Sequence, residues 1–227
     1  MRARYRFRCW LARNSGLFFP IFRLSAHRQL LVQKDTQLVI EGYPRSANTF
    51  AVVAFAKAQS VPIKTAHHLH AQAQVLRGVE RGIPVCVLIR QPIDAMKSFL
   101  VMYPDITPVM ALRAYIEFYS DVLPVADRVV FVKFELVISD FGQVVSAINR
   151  KYATSFDVPV HSGEFEAKIF GEIQVINDNY KHGREETLSM PSAVKDVQKL
   201  DRLKGRRELE LLSKAEELYA TCCRLAV

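Results

Sequence analysis

The apolar run Leu38–Ile40 is followed by Gly42-Tyr43-Pro44-Arg45-Ser46-Ala47-Asn48-Thr49, and then by a second apolar run from Phe50 to Ala58. No other feature constrains the fold as much. A short buried run, a turn of small residues and a helix start make a strand–loop–helix unit. Unsatisfied backbone N–H groups and the positive end of the helix dipole turn such a loop into an anion cradle. Arg45 adds a permanent charge, and Ser46 and Thr49 add hydroxyl donors. The register of the pattern G-x-x-x-x-G-K-[ST] survives as Gly42, four residues, then Ala47-Asn48-Thr49, but Asn48 stands where the lysine belongs. The unit therefore predicts a phosphate or sulfate ligand and argues against an ordinary ATPase.

Two more apolar runs, Val85–Ile89 and Val129–Val132, have the length and composition of buried parallel strands, as does Leu38–Glu41. Helical patterns at about 48–59 and 69–80 separate the first two, and patterns at about 93–101 and 107–122 separate the second and third. Strand and helix alternate, which predicts an α/β fold: a parallel β-sheet flanked by helices. Right-handed crossovers bring the loops after the strands to one edge, where ligands of such sheets bind. Glu208 to Leu225 has helical apolar spacing, so the C-terminal part is expected to be helical. Residues 177–206 are polar and basic and are expected to form a loop or lid.

The net charge of +8 is unevenly distributed. Residues 1–34 hold eight of the 31 Lys and Arg and no acid; the other 23 are balanced by the 23 Asp and Glu. The basicity thus belongs to an N-terminal extension, 1–34, and the single domain at 35–227 is neutral overall, so no nucleic-acid partner is expected. Aromatic and aliphatic residues interleave the arm, which has two readings: peripheral attachment to an anionic membrane surface, or an extension that is solvated or packed on the core. No run reaches the ~18–20 apolar residues of a spanning helix. No clear signal peptide is visible, although the arm's Arg-rich, acid-free composition also suits a transit-type segment; the expected location is the cytoplasm, with membrane association open. Four cysteines without zinc spacing fit a reducing compartment.

A second strand–turn–helix motif runs Val87-Leu88-Ile89-Arg90-Gln91-Pro92-Ile93-Asp94-Ala95-Met96-Lys97-Ser98. Arg90 ends the strand, and its planar fork suits a phosphate. At this point the chain resembles the sulfotransferases that use 3′-phosphoadenosine-5′-phosphosulfate (PAPS). Their first loop, roughly P-K-S-G-T-T-W, is similar to Pro44-Arg45-Ser46-Ala47-Asn48-Thr49-Phe50 and binds the 5′-phosphosulfate. Their second motif, roughly V-x-R-N-x-x-D-x-x-x-S, is similar to Leu88–Ser98, and its Arg and Ser bind the 3′-phosphate. Between them, Lys64-Thr65-Ala66-His67-His68-Leu69-His70 resembles the family's Lys-Thr-His-Leu segment, which carries the catalytic base. Phe131-Val132-Lys133-Phe134-Glu135 resembles the family's strand ending in Tyr-Glu-Asp.

The resemblance covers about residues 38–140 and implies a P-loop-like sulfotransferase fold with PAPS as donor, 3′-phosphoadenosine-5′-phosphate (PAP) as product and no metal. It implies Arg45, Ser46, Ala47, Asn48, Thr49, Phe50, Arg90 and Ser98 as donor-binding residues, with Phe134 near the adenine. The implied catalytic residues are Arg45 and a histidine base, His68 by its place before a leucine or else His67. The acceptor would be a hydroxyl or amine on a carbohydrate, lipid or small molecule. The departures are Ala47 for the usual glycine, Arg45 for the usual lysine, and only Arg202–Arg206 as a loose counterpart of the C-terminal Arg-Lys-Gly segment that also holds the 3′-phosphate. Two other readings are a P-loop nucleotide kinase or other phosphotransferase and a non-catalytic nucleotide-binding module.

Overall fold

Four parallel strands, in the order β2-β1-β3-β4, form the centre of the protein in a computed structural model that describes residues 1–181 and 205–227. The strands are β1 (Leu38–Gly42), β2 (Thr65–His67), β3 (Val85–Ile89) and β4 (Val130–Lys133). The expected α/β architecture is therefore present, with three of its strands within a residue of the positions read from the sequence. β2 is an addition. It lies in the histidine interval, pairs Leu38 with Thr65 and Ile40 with His67, and carries no apolar run that could announce it.

β1 and β3 read as continuous apolar runs because both of their faces are covered. Val39, Val85, Val87 and Ile89 face α1 (Arg2–Arg13), α2 (Ser15–Arg23), α4 (Gln72–Glu80), α5 (Pro92–Met102) and α6 (Pro108–Val122). Leu38, Ile40, Cys86, Leu88, Val130 and Val132 face α3 (Asn48–Ala58), α7 (Phe134–Ser139), α8 (Phe141–Tyr152) and α9 (Gly163–Lys181). The C-terminal helix α10 (Arg206–Leu225) packs along α6, and the chain then returns to the sheet, where Val227 N donates to Phe131 O at 3.1 Å. Residues 182–204, most of the stretch expected as a loop or lid, lie outside the described residues, as do Arg202, Leu203 and Lys204 of the loose C-terminal motif.

Helix boundaries follow local chemistry. Pro92 and Pro108 open α5 and α6, where the missing N–H is of no consequence, and Thr107 Oγ1 accepts from Met110 N as the cap of α6. The helix expected from 69 begins at Gln72, because His68 and His70 take positive φ and the chain stays a loop through Ala71. In the basic N-terminal arm, α1 and α2 bury Leu11, Ala12, Phe18 and Phe19 against the body, next to α4 and α6. Their outer surface exposes Phe7 and Trp10, with ring centroids 5.7 Å apart. Among the described residues no helix is long and apolar enough to cross a membrane.

The strand order reverses between β1 and β3, so the loops after these two strands flank a topological switch point, the usual ligand position in an open α/β sheet. Gly42 makes this arrangement possible: a Cβ there would stand 2.6 Å from Leu88 O, a backbone atom that cannot swing away. Gly42→Ala should lose about 1–3 kcal/mol of stability in urea unfolding, as backbone overpacking does; an unchanged midpoint would mean that the two strand ends can separate freely.

Candidate functional site

The loop after β1 turns twice through left-handed backbone, at Arg45 (φ 70°) and Ala47 (φ 65°). That conformation is the one for which Gly is normally chosen. Ala47 is the residue before α3, so the loop delivers the chain to the helix N-terminus at Asn48. Tyr43 fills the space beneath, fully buried, with its hydroxyl donating to Ala111 O at 3.1 Å. Asn48, at the lysine position of the nucleotide-binding pattern, is also buried, and its Nδ2 donates to Tyr43 O at 3.1 Å. Its amide braces the loop from inside. Ser46 is wholly buried beside Tyr119, and its N–H donates to Tyr43 O. It shapes the loop and does not line the cavity, contrary to the hydroxyl-donor expectation.

The loop after β3 is tied to the first. Arg90 Nη1 donates to Arg45 O at 2.8 Å, and Arg45 Nε donates to Ser98 Oγ at 2.9 Å. Ser98 lies two turns into α5, and the spacing Arg90-x₇-Ser98 brings it back over the strand end. Burial, with Arg90 nearby, lowers Arg45 to about 10, which leaves it charged at neutral pH. Phe134 was expected at a strand end. It is instead the first residue of α7, because β4 stops at Lys133, and its ring lies 4.0 Å from the guanidinium carbon of Arg90. It thus buttresses Arg90 by a cation–π contact and still lines the cavity.

The histidine segment closes the third side. Thr49 Oγ1 and His68 Nε2 are 3.1 Å apart, and His68 Nδ1 lies 2.7 Å from His67 Nδ1. His67 stands behind His68 and away from the cavity wall. Burial holds it down at about 4, so it is neutral at pH 7. One of the two Nδ1 atoms must donate. When His68 donates to His67, its Nε2 keeps a lone pair facing Thr49, the tautomer a proton acceptor requires. His70, also at about 4 through burial, donates from Nδ1 to Gly42 O at 2.8 Å.

Two structural groups of the site escaped the sequence reading. Glu41, buried in β1, accepts from Leu69 N at 3.0 Å and from His70 N at 2.8 Å. One carboxyl thereby fixes the loop that carries His68 to the strand that carries the anion cradle. The second group is the tyrosines of α6. Tyr119 donates to Leu88 O at 2.7 Å and accepts from Tyr43 N at 3.4 Å, and Tyr115 donates to Arg90 O at 2.8 Å. An acid inside an apolar strand was the available signal for the first; the tyrosines looked like ordinary core spacing.

Arg45, Ala47, Asn48, Thr49, Phe50, His68, Arg90, Ser98 and Phe134 all open onto one cavity of about 910 Å³. That is the upper part of the range for small-molecule and cofactor sites. Among the described residues no group of three or more His, Cys, Asp and Glu could hold a metal ion.

No protein-family model matches this chain, and no curated protein does. Among solved structures it is similar to the mouse sulfotransferase SULT7A1 in complex with PAP, at 14% identity and a TM-score of 0.45, over 87% of this chain and 88% of that one. A likeness at this level carries no argument for function.

Two predictions follow from the geometry. Ala47→Gly should stabilise the protein by about 0.5–1 kcal/mol in urea unfolding, since relief of left-handed backbone outweighs the extra freedom of the unfolded chain; a destabilised variant would mean that the Ala47 methyl packs usefully. The second concerns pH. Burying neutral His67 and His70 contributes stability that is present above pH 6.5 and falls as pH drops toward 4. Burial pushes Glu41 up to about 8 from 4.5, against the pull of its two amide hydrogen bonds, so its contribution is present below 4.5 and is lost as pH rises toward 8. Below pH 6.5 the two histidines outweigh the one acid, and above it only the acid acts. Their joint contribution peaks near pH 6.5 and falls by about 1.4 kcal/mol per unit on either side. Urea unfolding between pH 5 and 8 tests this, with Glu41→Gln expected to flatten the alkaline limb.

Proposed function

We propose that the protein is a sulfotransferase that moves the sulfonate of PAPS to a hydroxyl or amine of an acceptor, with His68 as base. The observation that carries this reading is the mutual bonding of the two anion motifs: Arg45 reaches Ser98, Arg90 reaches the Arg45 carbonyl, and both open onto the cavity that holds the Thr49–His68 pair. A donor with separate 5′- and 3′-phosphates needs two adjoining anion sites, and a transfer needs a proton acceptor beside one of them.

In this reading the loop amides, Arg45 and Thr49 face the 5′-phosphosulfate, while Arg90 and Ser98 face the 3′-phosphate, with Phe134 holding Arg90 in place. His68 Nε2 takes the proton of the acceptor hydroxyl as its oxygen bonds to sulfur in line. The bond from sulfur to the 5′-phosphate oxygen breaks, and PAP leaves with the electron pair. Donors fixed before the reaction face the charge that grows on the sulfonate and on the leaving oxygen. Neutral His67, behind His68, can accept the Nδ1 hydrogen bond and so keep the base in its useful tautomer. Asn48 weighs against a kinase, because its amide braces the loop where a nucleotide kinase would extend a lysine to the phosphates.

Calorimetry with PAP and a radiolabelled sulfonate-transfer assay test the reading together. His68→Ala should keep PAP affinity within a few-fold and lose at least about 100-fold in transfer, the range of general-base catalysis. Arg90→Ala should weaken PAP by about 10–100-fold, as loss of a charged hydrogen bond does. Tighter binding of ATP than PAP would favour the kinase, and PAP binding with no transfer to any hydroxyl acceptor would favour an inert binding module.

A further inference from the structure

One wall of the cavity comes from the basic arm. Met1 and, from α1, Arg4, Tyr5, Arg8 and Cys9 line the cavity. Arg4 and Arg8 are one helical turn apart and therefore share a face. Neither has a carboxylate partner among the described residues. Arg8 Nη2 lies 3.5 Å from Leu69 O, the carbonyl of the residue that follows His68. The acid on the described wall, Glu117, lies 3.7 Å from Arg13 and is thereby partly offset. Between the arginines and α5–α6 the wall is apolar, formed by Tyr5, Phe99, Met102, Ile106 and Phe118, with Tyr5 and Phe99 ring centroids 5.6 Å apart.

We propose that Arg4 and Arg8 select an anionic acceptor: a small hydroxy acid with an aromatic or apolar body, its carboxylate on the α1 arginines and its hydroxyl toward His68. In the sulfotransferase reading the nucleotide is served by Arg45 and Arg90 at the strand ends and by Ser98 on α5. The α1 arginines face the same space from a different layer, beside the apolar lining that a nucleotide's phosphates would not use. An apolar body buries against Tyr5, Phe99 and Phe118, and a fixed anion on Arg4 and Arg8 sets which end of the molecule reaches the base. The arm's concentration of arginine without any acid thereby acquires a use inside the cavity.

The identity of the reaction rests on the sulfotransferase reading above, but recognition of the acid does not, and the experiment separates them. Binding of 3-(4-hydroxyphenyl)propanoate and of its methyl ester is measured by calorimetry on the full chain, with and without saturating PAP. The acid should bind at least about tenfold more tightly than the ester. This preference should collapse in the Arg4→Gln/Arg8→Gln double variant and persist in Arg6→Gln, a change on the same helix but off the cavity wall. Both arginines are exposed, so the variants are expected to fold, and far-ultraviolet circular dichroism checks it. Equal affinity for acid and ester, including no measurable binding of either, overturns the proposal. So does a loss of PAP affinity in the double variant, which would assign the arginines to the nucleotide. If the unaltered protein binds the acid selectively but not PAP, the sulfotransferase reading fails and the anionic-ligand site stands.

Discussion

The hydroxyl of Tyr119 holds together the two strand ends on which everything else is mounted. It donates to Leu88 O in β3 and accepts from Tyr43 N just beyond β1. Both groups would otherwise be buried polar atoms at the point where parallel pairing runs out, and leaving such groups unmet costs about 1–3 kcal/mol each. Tyr115 does the same for Arg90 O one residue after β3. α6 therefore fastens the first cradle loop to the second motif before any ligand enters. The direct bonds between Arg45, Ser98 and Arg90 then need only side-chain adjustment.

Backbone strain is concentrated at the same place. Among the described residues, five other than glycine have positive φ, and four of them, Arg45, Ala47, His68 and His70, lie in the two loops that meet at the Thr49–His68 contact. The fifth, Ala153, ends α8. Such conformations persist only where the surroundings over-determine them. Here the surroundings are specific: Asn48 and Ser46 brace the first loop through Tyr43 O, and the Glu41 carboxyl grips the second through the amides of Leu69 and His70. His68 is presented by a loop whose geometry is fixed from the interior of the sheet.

The sheet was legible because parallel strands buried on both faces leave continuous apolar runs, and Leu38–Ile40 and Val85–Ile89 are such runs. The edge strand β2 was not, since Thr65-Ala66-His67 is three residues with one apolar side chain. The cradle was legible from the small-residue turn before Phe50, and Arg90 and Ser98 from their spacing. The direction in which Ser46 points was not, because a residue type does not say which side of a loop it occupies. Phe134 stands where the resembled motif has the end of a strand, but β4 stops at Lys133 and the backbone turns into α7 at that residue, which no local pattern announces. The place of α1 in the cavity wall depends on packing against residues a hundred positions away, which no local pattern encodes.

That long-range dependence has a consequence for biogenesis. Leu11, Ala12, Phe18 and Phe19 leave the ribosome about a hundred residues before α6 (Pro108–Val122), one of the helices α1 lies on. At ~5–20 residues per second, the amphipathic α1 would wait for several seconds with its apolar face uncovered before α6 is made. A helix that lines the site is thus made before the surface it docks on and must dock late in folding.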